Sequence, residues 1–224
     1  MSGSRFIDRR LGVDLHLDAA LFFLVLVFLL GLGICSALGE ARKTPACIID
    51  IDGTVADETR RRETATDAKG SLDWQQYFLP DRIAWDQPIP GAKQVLDEFV
   101  HRGISIIYLS SREDTLQQAT ENWLKEHGFP SGQVLLRPRY GKTLEFKVER
   151  VSALRSRFDI LFGIGDRESD KSAYEMAGVR ALLLDSPTRE GWERVLAALA
   201  GVLPPTPEDG DAAARVEGGE TTEQ

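Results

Sequence analysis

Asp50-Ile51-Asp52-Gly53-Thr54 places two carboxylates directly after the apolar run Ala46–Ile49. A second acid pair, Asp166 and Asp170, follows the apolar run Ile160–Ile164, and Ser110-Ser111-Arg112 follows Ile104–Leu109. Carboxylates brought to ~4 Å cost about 4 kcal/mol per pair at an effective dielectric near ~20, so these acids call for a cation between them. Two cysteines, Cys35 and Cys47, and three scattered histidines, His16, His101 and His127, exclude a disulfide scaffold and any usual zinc site. Carboxylate ligands suit a hard cation such as Mg²⁺. A calcium loop starting at Asp50 fails, because Thr54, Val55 and Arg61 stand where an acid, a glycine and a glutamate are needed.

The elements that must carry these groups alternate. Strand-like apolar runs lie at Ala46–Ile49, Ile104–Leu109, Val134–Leu136, Ile160–Ile164 and Val179–Leu184. Amphipathic stretches lie at 91–102, 115–127, 143–156, 169–177 and 189–200. The alternation predicts an α/β fold in which a five-stranded parallel sheet is covered on both faces, a Rossmann-like three-layer αβα sandwich. Such sheets bind ligands at the carboxyl ends of their strands, which is where the polar groups fall.

The chain of 224 residues is 42% hydrophobic and 28% charged, enough for one domain, expected over 45–203, with appendages. Of its net charge of −8, the segment from Pro204 supplies most, with six acids against Arg215 alone. Residues 204–224, acidic and without aromatics, are expected to be a disordered tail. A short polar segment, 1–18, precedes residues 19–39, which carry no charge. About 20 helical residues span about 30 Å, so 19–39 is expected to be a transmembrane anchor. A cleaved signal sequence is the alternative, although secretory apolar cores run only to about 15 residues. Three bases before the run and two after it favour a cytoplasmic amino terminus, with the folded domain on the extracytoplasmic or periplasmic side, or secreted if the leader is cleaved.

DxDGT at a strand end, Ser110 after the second strand, Lys147 in a helix, and the GDxxxD of Asp166 and Asp170 appear in order. This set resembles the haloacid-dehalogenase-like (HAD) superfamily over about residues 45–185. The resemblance implies that Asp50 is a nucleophile attacking phosphorus and Asp52 a general acid and base. Ser110 and Lys147 would serve the phosphoryl group, with Gly53 turning the backbone beneath it. It implies Mg²⁺ held by Asp50, the Asp52 carbonyl and Asp166, with Asp170 supporting. Lys142 competes for the lysine role or is a solvated helix-start residue. Thr54, Ser111, Arg112 and Arg167, also within these motifs, are expected to contact substrate.

Residues 55–90 form a small cap or flap, with Trp74, Tyr77, Phe78 and Trp85, too short to cover the site. Arg60, Arg61, Arg62, Arg112, Arg137, Arg139 and Arg167 gather around the expected mouth, favouring an anionic substrate or forming a solvated rim. Tyr108–Arg112, Phe129–Gly132, Leu135–Pro138 and Glu145–Lys147 resemble lipin-type phosphatidate phosphatases, although Gly165-Asp166-Arg167 departs from their pattern. Ser110–Glu113, Thr120–Leu124 and Leu136–Pro138 resemble the phosphatase domain of polynucleotide kinase-phosphatases, which would make nucleic acid a partner only as substrate; no P-loop is present. Exported acid phosphatases of the superfamily are a third reading, and a non-catalytic phosphate- or phospholipid-binding module is the alternative to an enzyme. The same reading expects Asp52→Asn to fold normally and lose turnover, and Trp123, on an apolar helix face, to matter for folding.

Overall fold

The computed structural model describes residues 43–206 and 208. Strand β1 (Thr44–Ile49) is the middle strand of a five-stranded sheet. On one side it pairs with β4 (Ser105–Glu113), which pairs with β5 (Gly132–Arg137). On the other it pairs with β6 (Phe158–Gly165), which pairs with β7 (Ala181–Leu183). Every pairing is parallel, and the strand order β5-β4-β1-β6-β7 reverses beside β1.

The side chains of β1 sort by parity, as a strand with a period of two requires. Cys47 and Ile49 face one core layer with Ile106 and Tyr108 of β4. Helices α3 (Ala92–His101), α4 (Gln117–Glu126) and α7 (Arg189–Leu199) close that layer with Phe99, Trp123 and Trp192. Ala46 and Ile48 face the other layer with Ile107 and Leu109. Helices α5 (Thr143–Leu154) and α6 (Glu168–Met176) close it with Phe146, Val151 and Tyr174. This is the expected three-layer sandwich. A strand apolar on both faces reads as a continuous run, which is why Ala46–Ile49 is legible.

The flap hangs from a two-residue antiparallel neck, β2 (Ala56–Asp57) on β3 (Gln87–Pro88). Between them lie α1 (Thr59–Thr64), α2 (Trp74–Tyr77) and a 3₁₀ turn, Pro80–Trp85. All five strands differ at one end or both from the expected runs, and two of them by enough to matter. β4 runs past Leu109 to Glu113, shifting register between Ser110 and Glu113, so Ser110, Ser111 and Arg112 lie within the strand. β7 is shorter than Val179–Leu184, because the Val179 N–H closes α6 by donating to the Tyr174 carbonyl at 2.9 Å. Among the described residues no helix is long and apolar enough to cross a membrane. The expected span 19–39, the segment 1–18 and nearly all of the acidic tail lie outside them.

Candidate active site

The carboxyl ends of β1 and β6 meet where strand order reverses. Asp50, next after β1, is 5% exposed and donates its N–H to the Ile164 carbonyl at 2.9 Å. Lys147, buried on α5, bridges two acids, its Nζ 2.5 Å from Asp50 Oδ1 and 2.6 Å from Asp170 Oδ1. Asp170 sits in the first turn of α6, where its Oδ2 accepts the Arg167 N–H at 3.3 Å. Asp166 completes the group directly after β6, with its Oδ1 buried and without a hydrogen-bond partner.

Burial, opposed by Lys147 and reinforced by Asp170 and Asp166, pushes the Asp50 carboxyl up to about 8. Burial alone would lower Lys147, but Asp50 and Asp170 hold it above its ordinary range, so it stays an ammonium. Lys147 pairs with two of the three acids, and the third, Asp166, has only the half-exposed Arg167 at 3.6 Å. Asp50, Asp166 and Asp170 each present an oxygen, all within 4.8 Å of one another. The unpartnered Asp166 oxygen and this all-carboxylate set fit a hard divalent cation.

Asp52, two residues on, faces different company. Arg112 donates to it from Nε at 3.1 and 3.2 Å and from Nη2 at 2.8 Å, and Arg61 Nη2 donates to the same carboxylate. Burial would raise this carboxyl, yet Arg112 and Arg61 hold it well below the usual carboxylate range. Both guanidiniums also reach Asp86, a buried residue that the motif reading misses. Nothing local marks Asp86: it is one acid in a polar stretch, and only the flap's return brings it here.

The cleft above these groups encloses about 350 Å³. Asp50, Asp52, Ser110, Ser111 and Lys147 line its floor, and Trp74, Tyr77 and Phe78 of the flap form an apolar wall. Trp74 stacks on Phe78 with ring centroids 5.7 Å apart and is 57% exposed. Ser110 Oγ accepts the Arg112 N–H at 3.2 Å.

The arginines divide. Arg61 is no rim residue: it is fully buried because Asp52 and Asp86 neutralise it and Tyr77 covers its guanidinium face at 4.2 Å. Arg112 also lines the cleft, but its donors go to Asp52, Asp86 and Thr120. Arg62, Arg137 and Arg167 line the mouth, the last half-exposed and 3.6–3.7 Å from Asp166 and Glu58. Arg60 lies over Trp85 outside the cleft, and Arg139 is exposed near Glu113. Lys142 is exposed and paired with Glu145 at the start of α5, so it is the solvated helix-start residue. Thr54 does not line the cleft: it is wholly buried, its carbonyl held by Trp192 Nε1 at 3.1 Å. Gly53 lies beneath Asp166 rather than on the cleft wall.

Solved structures carry the same fold. The class C acid phosphatase from Bacillus anthracis, with tungstate bound, is 23% identical, with 80% of this chain and 73% of that one covered at a TM-score of 0.51. A hydrolase from Streptococcus pneumoniae TIGR4 is 19% identical, covering 69% of this chain and 99% of that one at a TM-score of 0.52. A chain of the Pnkp1/Rnl/Hen1 RNA repair complex is 19% identical at a TM-score of 0.50; 66% of this chain is covered, and it spans only 44% of that chain. No curated protein sequence matches. The family model for the HAD superfamily, subfamily IIIB (acid phosphatase), matches residues 33–192. With most of its length so matched, and the acid pairs at the tips of β1 and β6, the chain belongs to the subfamily IIIB acid phosphatases of the HAD superfamily and is a phosphoric monoester hydrolase.

Proposed function

We propose that the chain hydrolyses phosphate monoesters in two displacements through an aspartyl phosphate at Asp50. The observation that carries this reading is the group of buried Asp50, Asp170 and Lys147 with partly buried Asp166 beneath an open cleft. An oxygen of Asp50 bonds to phosphorus as the bond to the leaving oxygen breaks, and that oxygen takes the electron pair and a proton from Asp52. A water then attacks phosphorus, passes a proton to Asp52, and phosphate leaves Asp50 free. Ser110 donates to a phosphoryl oxygen, and the Lys147 ammonium offsets charge on Asp50 and the transferring group. Asp50, the Asp52 carbonyl and Asp166, with Asp170 behind them, would hold Mg²⁺, which would supply the positive charge that a carboxylate needs to approach a phosphate dianion.

Arg112 and Arg61 keep Asp52 ionised, the form that the second displacement needs, in which it accepts a proton. In the first, the arriving dianion offsets the field of Arg61 and Arg112 and favours the protonated form. Arg62, Arg137 and Arg167 draw an anionic ester to the mouth, and Trp74 and Phe78 receive a flat or bulky leaving group. Residues 19–39 anchor the enzyme to a membrane, with the domain on the extracytoplasmic side.

The test is a panel of phosphatidate in vesicles, a 3′-phosphorylated oligonucleotide, a nucleotide and an aryl phosphate, given to the full chain with Mg²⁺. Release of phosphate that Asp50→Asn abolishes supports the reading. Phosphate binding without release from any of them would make the chain a binding module.

A further inference from the structure

Asp86 has no task in the chemistry above. It follows the 3₁₀ turn Pro80–Trp85, is fully buried and does not line the cleft. Its Oδ1 accepts from Arg61 Nε at 2.9 Å, and its Oδ2 from Arg61 Nη2 at 3.0 Å and Arg112 Nη2 at 2.7 Å. Its carbonyl accepts from Trp123 Nε1 at 3.0 Å, fixing the backbone against α4. Each guanidinium therefore lies between two carboxylates, Asp86 behind and Asp52 in front.

Three buried charges with a fourth, Asp52, mostly buried are a poor device for stability, since apolar side chains of similar volume hold a core as well. A guanidinium is a planar fork whose orientation is set once both edges are bonded. In both guanidiniums Nη2 donates to Asp86 and to Asp52, so the grip of Asp86 fixes the nitrogen through which Arg61 and Arg112 each meet Asp52. Asp52 is 13% exposed and turned into the cleft.

On the reading that Asp52 carries the proton to the leaving oxygen, we propose that Asp86 is a positioning residue for that transfer, aiming Asp52 through Arg61 and Arg112. It also balances the cluster. Two carboxylates match two guanidiniums, so the four side chains hold one another in a charge-matched set.

The consequence depends on the leaving group. An alkyl phosphate needs its leaving oxygen protonated, and an aryl phosphate with an acidic phenol does not. The value of kcat/KM reports steps through phosphoryl transfer to Asp50. Asp86→Asn is therefore expected to lose about tenfold or more in kcat/KM for an alkyl phosphate and to stay within about twofold for the acidic aryl ester. Asp86→Glu, which keeps the charge and displaces the carboxylate, is read the same way and decides if the Asn variant does not fold. An equal loss on both esters, or no loss, overturns the proposal, and so does failure of both variants to fold, since Asp86 is then a folding residue. If the wild-type chain hydrolyses neither ester, the phosphatase reading itself has failed, and the proposal falls with it.

Discussion

The α-carbon of Gly53 lies directly beneath the carboxylate of Asp166: a Cβ at residue 53 would stand 2.3 Å from Asp166 Oδ2. The backbone there has φ near +81°, where a side chain is strained in any case. The turn after β1 and the acid after β6 are thus fitted to each other, and the fit sets where Asp166 points. Gly53→Ala is expected to push Asp166 aside and weaken Mg²⁺ binding by about tenfold or more, with a stability cost of about 1–3 kcal/mol. Calorimetric titration of Mg²⁺ and a melting curve on the same sample check both; unchanged affinity would separate Gly53 from the metal group.

Asp52 is structural as well as chemical. Asp52→Asn leaves Arg61 and Arg112 with one carboxylate between them in a buried setting. Loss of turnover is expected together with a drop in stability of about 1–3 kcal/mol, measured by denaturant unfolding. The variant is still expected to fold, and stability equal to the wild type's would contradict the structural role of Asp52.

Asp52 and Asp86 impose opposite dependences of stability on pH. Asp52 is held below its ordinary 3.8, so its contribution is present above that value and lost as pH falls through the lowered one. Burial, against Arg112 and Arg61, pushes Asp86 up to about 6, so its contribution is present below 3.8 and lost as pH rises through about 6. The stability lost in Asp86→Asn is therefore expected to be largest near pH 4 and smaller near pH 7. Urea unfolding across that range checks it, and a deficit that grows with pH would reverse the assignment.

Trp123 is a folding residue. It is 1% exposed, stacks on Phe129 with centroids 5.5 Å apart, and its Nε1 holds the Asp86 carbonyl. Trp123→Ala is expected to cost about 3–5 kcal/mol. A midpoint shift in denaturant of matching size, at unchanged slope, checks it.

Much of this was legible from apolar runs and their ends. A parallel sheet buried on both faces leaves continuous runs in the sequence, and its ligand-binding edge leaves polar residues after them, so Asp50, Asp52, Asp166 and Asp170 stand out. Arg61 and Asp86 do not. Three consecutive arginines look like a solvated face, and only a 25-residue detour through the flap turns the middle one onto Asp86. Arg112 is visible as a motif residue, but its acid partners come from the turn after β1 and from the flap, so its work in holding Asp52 emerges only from tertiary pairing. Lys142, the weaker of the two lysine candidates, stands before the first turn of α5 and is exposed, whereas Lys147 lies within the helix and is buried.

The central claim is a covalent bond between Asp50 and phosphorus. The direct measurement is acid quenching of the enzyme during turnover of a phosphate ester radiolabelled in its phosphoryl group, followed by proteolysis and location of the label. The account predicts a hydroxylamine-labile label on the peptide carrying Asp50, dependent on Mg²⁺ and absent from Asp50→Asn. Continued turnover with the label on another residue, or with Asp50→Asn still active, would contradict it.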